Sequence, residues 1–288
     1  MPSRKGTPGI EDLIARFKEE LISRRYSSRT ADVYATAVTS FLKSVPDASS
    51  VTPGDADDYV SGIVEESTNG KTSQSSVGIA VSAIKLYYKY LVGESLELSV
   101  EIKRGRRNPP VILSRKEIQK ISSVTRNVSH RLIFQLMYSS GLKLDELLAL
   151  KVKDVDIDEQ TLTIRGTNSG SRKRKQARET MMSEKVAPML HAFIADREAE
   201  DYVFPGIDGG HMTPRAVQKA FKHALKKAGI DKKASCNSLR HSFAVHLLEK
   251  GIDIKHVQRL LGHARTETTS IYKRLVSNDS VDIRSPLD

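Results

Sequence analysis

Two adjacent prolines, Pro109 and Pro110, in the stretch SVEIKRGRRNPPVILS, set the strongest limit on how this chain folds. A helix cannot run through them, because each ring removes an N–H donor and pushes the residue before it out of helical backbone. Lys103, Arg104, Arg106 and Arg107 crowd the positions just ahead, so residues 103–112 read as a basic linker. The chain then divides into residues 1–102 and 113–288, each long enough to bury a core of its own.

Ahead of the linker the apolar residues fall at helical spacing. Ile10, Leu13, Ile14, Phe17, Leu21 and Ile22 form one stripe, and Tyr34, Val38, Phe41 and Leu42 form a second after the break SRRYSS. Thr52 is a candidate N-cap with Pro53 at the first helical position, and Val77, Val81, Ile84, Tyr88 and Leu91 give a further stripe. A four-helix unit is expected. The Tyr87-Tyr88-x-Tyr90 cluster fits a core stripe with polar tips better than a base-stacking platform.

Beyond the linker, LSRKEIQKISSV begins as a Ser-capped helix, and Gly141 separates two apolar helical patterns in RLIFQLMYSSGLKLDELLAL. DIDEQTLTIRG alternates Leu162 and Ile164 with polar neighbours, and RETMMS can return as its partner strand. From MTPRAVQKAFKHALKKAGI onward the pattern is again helical. The fold class expected is mainly α with a small antiparallel β-sheet in the C-terminal part.

The 46 Lys+Arg against 35 Asp+Glu give a formal net charge of +11, which favours a polyanionic partner. One cysteine, Cys236, allows no internal disulfide, the first residues lack an apolar signal core, and no apolar run is long enough to span a bilayer. An intracellular, cytoplasmic protein is expected. DVDIDE begins like a calcium loop but places Glu159 and Arg165 where glycine and a bidentate glutamate are needed. No His-Glu-x-x-His run or cysteine cluster offers a zinc site, and GTNSGSRK lacks the order of a nucleotide-binding loop. Neither a metal nor another cofactor is indicated.

The segment NSLRHSFAVHLLEKGIDIKHVQRLLGHARTETTSIYKRL carries Arg240 in Leu-Arg-His, His263 twenty-three residues later in Leu-Gly-His, and Tyr272 nine after that. A tyrosine hydroxyl attacking a phosphodiester builds charge on the non-bridging oxygens, which a planar, permanently charged arginine suits. The pattern resembles the C-terminal signature of the tyrosine recombinases, the phage-integrase and Xer-type family. GLKLDELLALKVKDVD resembles that family's Gly-Leu-Arg-x-x-Glu-Leu segment, and residues 10–98 its helical core-binding domain. The resemblance implies an N-terminal four-helix core-binding domain, a catalytic domain, and cleavage of duplex DNA by Tyr272 through a 3′-phosphotyrosyl bond. His263 would hydrogen-bond the scissile phosphate.

Three positions depart from the family's pattern. Lys143 stands for its first arginine, keeping charge but losing the two-pronged fork, and Asn237 stands for the histidine three before the second arginine, where it cannot shuttle a proton. Thr167 falls where the catalytic lysine is usual, and counting back from Arg178 selects Lys173 instead as the general acid. The turn SRKRKQAR equally fits a solvated charged loop. Losing a positioned acid or base costs about a hundred- to ten-thousand-fold in rate, so a catalytically impaired DNA-binding protein of the same fold is the alternative.

Double-stranded DNA is the implied partner. Candidate phosphate contacts are Lys103, Arg104, Arg106 and Arg107 in the linker, Arg172, Arg174 and Lys175 in the turn, and Arg215, Lys219 and Lys222 on the following helix. Family resemblance also implies a homo-oligomer, a tetramer on paired sites, with VSNDSVDIRSPLD either exchanged between copies or a frayed tail.

Overall fold

Capping chemistry and apolar spacing settle where the helices of the N-terminal part begin and which faces they bury. In this computed structural model, which describes residues 9–100, 109–165, 177–273 and 275, the chain forms two compact units. The first is helical. α1 (Ile10–Ser23) buries Leu13, Phe17 and Leu21, four residues apart and so on one face. α2 (Ser28–Ser44) starts where the Ser27 hydroxyl accepts from the Thr30 N–H, and α3 (Pro53–Thr68) starts at a Thr52–Asp55 capping box with Pro53 inside the first turn.

α4 (Gln74–Tyr87) runs into a π turn, Tyr88–Val92, that Gly93 ends at φ 88°. Tyr87 and Tyr88 are buried, with Phe17 edge-on to Tyr87 at 5.6 Å, and the Tyr88 hydroxyl donates to the Thr52 carbonyl at 2.5 Å. The packing reading of the tyrosine cluster therefore holds for these two. Tyr90 lies under the Arg24 guanidinium at 4.1 Å.

The second unit opens with Val111 and Ile112, which pack on its core although they fall at the end of the stretch expected to be linker. The Leu113 N–H then donates to the Ser242 hydroxyl at 2.8 Å. α5 (Arg115–Val124) has the expected Ser114 cap, completed by Glu117, and α6 (Val128–Ser140) and α7 (Leu144–Leu148) flank Gly141. Three antiparallel strands follow in the order β1 (Val155–Asp156), β2 (Thr161–Ile164) and β3 (Arg178–Met181), with Leu162 opposite Thr180 and Ile164 opposite Arg178.

β2 and β3 are the strands expected from sequence. β1 is not, because its two residues lie in the polar run DVDIDE and are too short to show alternation. α8 (Ala187–Ile194) was also not anticipated: it opens at Val186 without a side-chain cap and carries Pro188 in its first turn. α9 (Pro214–Lys227), α10 (Cys236–Glu249), α11 (Ile254–Leu261) and α12 (Glu267–Lys273) complete the unit.

α10 is the central helix. Leu239, Phe243, Ala244, Val245 and Leu247 are buried around much of its circumference, so it shows little amphipathic pattern. Its buried polar groups are paired: Ser242 donates to the Ser238 carbonyl at 2.7 Å, and His246 Nδ1 lies 2.8 Å from the Tyr138 hydroxyl. Among the described residues, no helix is long and apolar enough to cross a membrane, and no group of three or more histidine, cysteine and carboxylate side chains is placed to hold a metal ion.

Gly141 is required twice over. Its φ of 63° ends α6 in left-handed backbone, and a Cβ there would lie 2.4 Å from the ring of buried Phe243. Gly141→Ala is expected to lower stability by about 2–4 kcal/mol, the sum of left-handed strain and overpacking, as measured by urea unfolding. A loss under about 0.5 kcal/mol would show that neither constraint operates.

Candidate active site

An arginine in the interior of a central helix must find partners for five N–H groups or carry a heavy desolvation cost. Arg240 is only 3% exposed, and its partners come from the ends of two other helices. Its Nη1 donates to the Gly141 carbonyl at 2.5 Å and its Nη2 to the Leu261 carbonyl at 2.7 Å. Both carbonyls belong to helix C-termini closed by left-handed glycines, Gly141 after α6 and Gly262 after α11, where unpaired oxygens and the helix dipoles attract a cation.

Glu146 on α7 completes the anchorage. Its Oε2 lies 3.7 Å from Arg240 Nη1, and Arg178 of β3 grips it with two prongs, Nη1 to Oε1 at 3.1 Å and Nη2 to Oε2 at 2.7 Å. The Lys143 N–H also donates to Oε2 at 3.1 Å, and Arg178 Nε donates to the Leu260 carbonyl at 3.0 Å. Burial alone would raise the Glu146 carboxyl, but the hydrogen bonds and charge of Arg178 outweigh it and hold the group below its ordinary value. Burial pulls the Arg240 guanidinium down to about 10, against the attraction of Glu146, and it stays charged at neutral pH. Two guanidiniums share one carboxylate, so the site keeps a positive excess.

His263 follows α11 through Gly262 and meets the same guanidinium. Arg240 Nη2 lies 3.0 Å from its Nε2, and its Nδ1 lies 2.9 Å from the Thr269 hydroxyl on α12. Because the guanidinium can only donate, Nε2 accepts and Nδ1 carries the proton toward Thr269. Burial, then Arg240 and Lys143, push the imidazole down to about 4, so it is neutral at pH 7.

Tyr272, also on α12, stacks on His263 with centroids 6.4 Å apart and is 2% exposed. Its hydroxyl lies 2.7 Å from His241 Nδ1, the residue that follows Arg240 on α10. Burial raises the phenol against the pull of Arg240, while burial and Arg240 together lower the imidazole of His241.

A cleft of about 610 Å³ opens over this group, and Lys143, Asn237, Arg240, His241, His263 and Tyr272 all line it. Five of the six residues expected to act chemically thus share one cavity in one chain. The sixth, Lys173, lies outside the described residues, as do Arg172, Arg174, Lys175, Lys103, Arg104, Arg106 and Arg107. Arg215, Lys219 and Lys222 are exposed on α9 at spacings of four and three, hence on one face, and Lys222 reaches the cleft.

Sequence reasoning overlooked His241, Glu146 and Thr269 and used Arg178 only as a marker for counting. His241 and Glu146 lie inside the motifs LRH and GLKLDEL, so their positions were in view while their partners were not. The arrangement brings together a phenol hydroxyl, a buried guanidinium, a lysine in the cleft wall and two imidazoles whose basicity burial lowers, a set fitted to substitution at a phosphodiester.

The model of the phage integrase family matches residues 112–278, and that of the phage integrase N-terminal SAM-like domain matches residues 13–98. Tyrosine recombinase XerC of Xanthomonas campestris is 32% identical over 92% of this chain and 84% of its own. The crystal structure of XerA recombinase superposes with a TM-score of 0.52 at 28% identity, covering 93% of this chain and 94% of that one. The XerH site-specific recombinase bound to palindromic difH substrate superposes with a TM-score of 0.68 at 17% identity, covering 95% of each chain.

His263 and His246 both stand at about 4, each because of burial first and a nearby arginine second, whereas an unfolded histidine titrates at about 6.5. Between about pH 6.5 and 4 the unfolded chain binds more protons than the folded one, so this contribution to stability is complete above pH 6.5 and is lost as pH falls through that window. The melting temperature of the double variant His246→Gln/His263→Gln is expected to fall less steeply over the window than that of the unaltered protein. Parallel slopes, measured calorimetrically, would refute buried neutral histidines.

Proposed function

The chain belongs to the phage integrase family of tyrosine recombinases, and we propose that it cuts and rejoins duplex DNA at specific sites with Tyr272 as nucleophile. The observation that carries this reading is the convergence of Tyr272, Arg240 and His263 on one cleft whose wall also holds Lys143 and Asn237. The phenol oxygen attacks the scissile phosphorus, the strand is left joined through a 3′-phosphotyrosyl bond, and the 5′-oxygen departs as a hydroxyl. That bond keeps the energy of the phosphodiester, so rejoining needs no nucleotide.

Arg240 is held rigid before the substrate arrives, so its charge meets the developing phosphorane without reorganisation. Lys143 adds a second charge, and His263 adds a hydrogen bond to the same phosphate once the phosphate takes the place of Arg240 at its Nε2 and the ring proton moves to that atom. Asn237 offers its amide where the family pattern has an imidazole, and Lys173 protonates the leaving 5′-oxygen. The exposed face of α9 with Arg215, Lys219 and Lys222 contacts phosphates, as do Lys103, Arg104, Arg106 and Arg107 of the linker and Arg172, Arg174 and Lys175 of the turn. The protein works on DNA inside the cell as a homo-oligomer, a tetramer on paired sites. Residues 1–102 form the core-binding domain, and the catalytic domain runs to residue 288 with Val111 and Ile112 already part of its core.

A second reading, DNA binding with impaired catalysis, is favoured by Lys143 and Asn237 in the cleft wall. One assay separates the two. Duplexes enriched from a random-sequence pool by binding to the protein are nicked to trap the covalent intermediate. A denaturation-resistant protein–DNA adduct is expected with the unaltered chain and none with Tyr272→Phe. DNA binding without adduct would favour the second reading. Lys143→Arg, which restores the two-pronged donor, is expected to speed adduct formation about tenfold or more, and a slower rate would show that Lys143 is matched to this site.

A further inference from the structure

For Tyr272 to attack phosphorus its proton must leave, and the cleft has lost the group that the family pattern offers for that task, because Asn237 accepts hydrogen bonds but takes no proton. His263 is turned the other way: its Nε2 is occupied by Arg240 and its Nδ1 by Thr269. Among the described residues, the hydrogen-bond partner of the Tyr272 hydroxyl is His241 Nδ1, at 2.7 Å. We propose that His241 is the general base of this enzyme, taking the Tyr272 proton on Nδ1 as the phenol oxygen bonds to phosphorus. This rests on the reading of Tyr272 as the nucleophile.

The step balances without any further reactant. The O–H bond of Tyr272 breaks, its electron pair forms the O–P bond, and the proton passes to His241, which becomes an imidazolium. The P–O5′ bond breaks with its electrons on oxygen, and that oxygen is protonated by the acid on the leaving side. Rejoining runs in reverse, with the imidazolium returning its proton to the departing phenolate. For this the neutral His241 must carry its resting proton on Nε2, the tautomer in which Nδ1 accepts from the phenol.

The position suits the task. His241 adjoins Arg240 on α10, so the base and the guanidinium that faces the phosphate are fixed by one rigid helix. The ionisable groups that line the same cleft are Lys143, Asp145, Lys222, Arg240, His263 and Tyr272, together with Cys236, whose thiol burial holds at about 12. Burial first, and then the charge of Arg240, lower the imidazole of His241 from its ordinary value, so it rests unprotonated at neutral pH. An imidazolium formed there is disfavoured, which speeds return of the proton during rejoining.

The test uses the full-length protein and the nicked duplexes described above, with the scissile 5′-bridging oxygen either retained or replaced by sulfur. Sulfur leaves without an acid, so it rescues a lost acid and not a lost base. His241→Asn keeps a hydrogen-bond acceptor near the Nδ1 position but cannot take a proton. The expected result is single-turnover adduct formation about a hundredfold or more slower on both substrates near pH 7, with a deficit that shrinks as pH rises toward the phenol range. Rates within threefold of the unaltered protein, rescue by sulfur, or a deficit independent of pH would each overturn the assignment.

The unaltered protein provides a check free of any folding defect. On the sulfur substrate its rate is expected to level off above a single ionisation at or below the ordinary histidine value. A rate that climbs tenfold per unit up to about pH 9 would mean unassisted phenol ionisation and would also overturn it. Absence of any adduct from the unaltered protein would instead remove Tyr272 as nucleophile, and the base assignment with it.

Discussion

The Arg240 guanidinium, gripped by the carbonyls of Gly141 and Leu261, is the interaction around which the catalytic unit is assembled. A cation that is 3% exposed survives because two helices end on it. The clamp fixes the C-terminus of α6 against α10 and the C-terminus of α11 against the same helix, and Glu146 with Arg178 ties α7 and β3 into the contact. Both glycine stops are steric requirements as well: a Cβ on Gly262 would lie 2.9 Å from the Arg178 side chain. The charge proposed to meet the phosphate and the structural keystone are therefore the same atoms.

Much of this was legible in the chain. The caps at Thr52 and Ser114 and the apolar stripes of α1, α2 and α4 were readable because local hydrogen bonds and one-sided burial leave a periodic trace. Arg240, His263 and Tyr272 were readable because their spacing resembles a known pattern. β1 escaped for want of length, α8 for want of a cap, and the linker expected to extend to residue 112 instead yields Val111 and Ile112 to the core. His241 and Thr269 escaped for another reason: their importance lies in which atom they face, and spacing alone does not report that.

The departures at Lys143 and Asn237 also gain a physical setting. Lys143 caps α7 while its backbone N–H holds Glu146, so the position serves the clamp through its main chain and the cleft through its side chain. Only the side-chain half differs between lysine and arginine. Asn237 lies one turn before His241 on α10, so loss of an imidazole at one position leaves another on the same helix within reach of the phenol.

The helix that carries Tyr272, the proposed nucleophile, is short. α12 has seven residues, too few to stand on its own hydrogen bonds, and the side chains it buries are Thr269 and Tyr272. Each makes its hydrogen bond to an imidazole outside the helix, Thr269 to His263 and Tyr272 to His241. Peeling this segment away therefore disconnects the Tyr272 hydroxyl from His241 and releases the orientation of His263 in a single movement. Reactivity and the docking of one brief turn of chain are linked variables, and whatever detaches α12 silences both halves of the chemistry together.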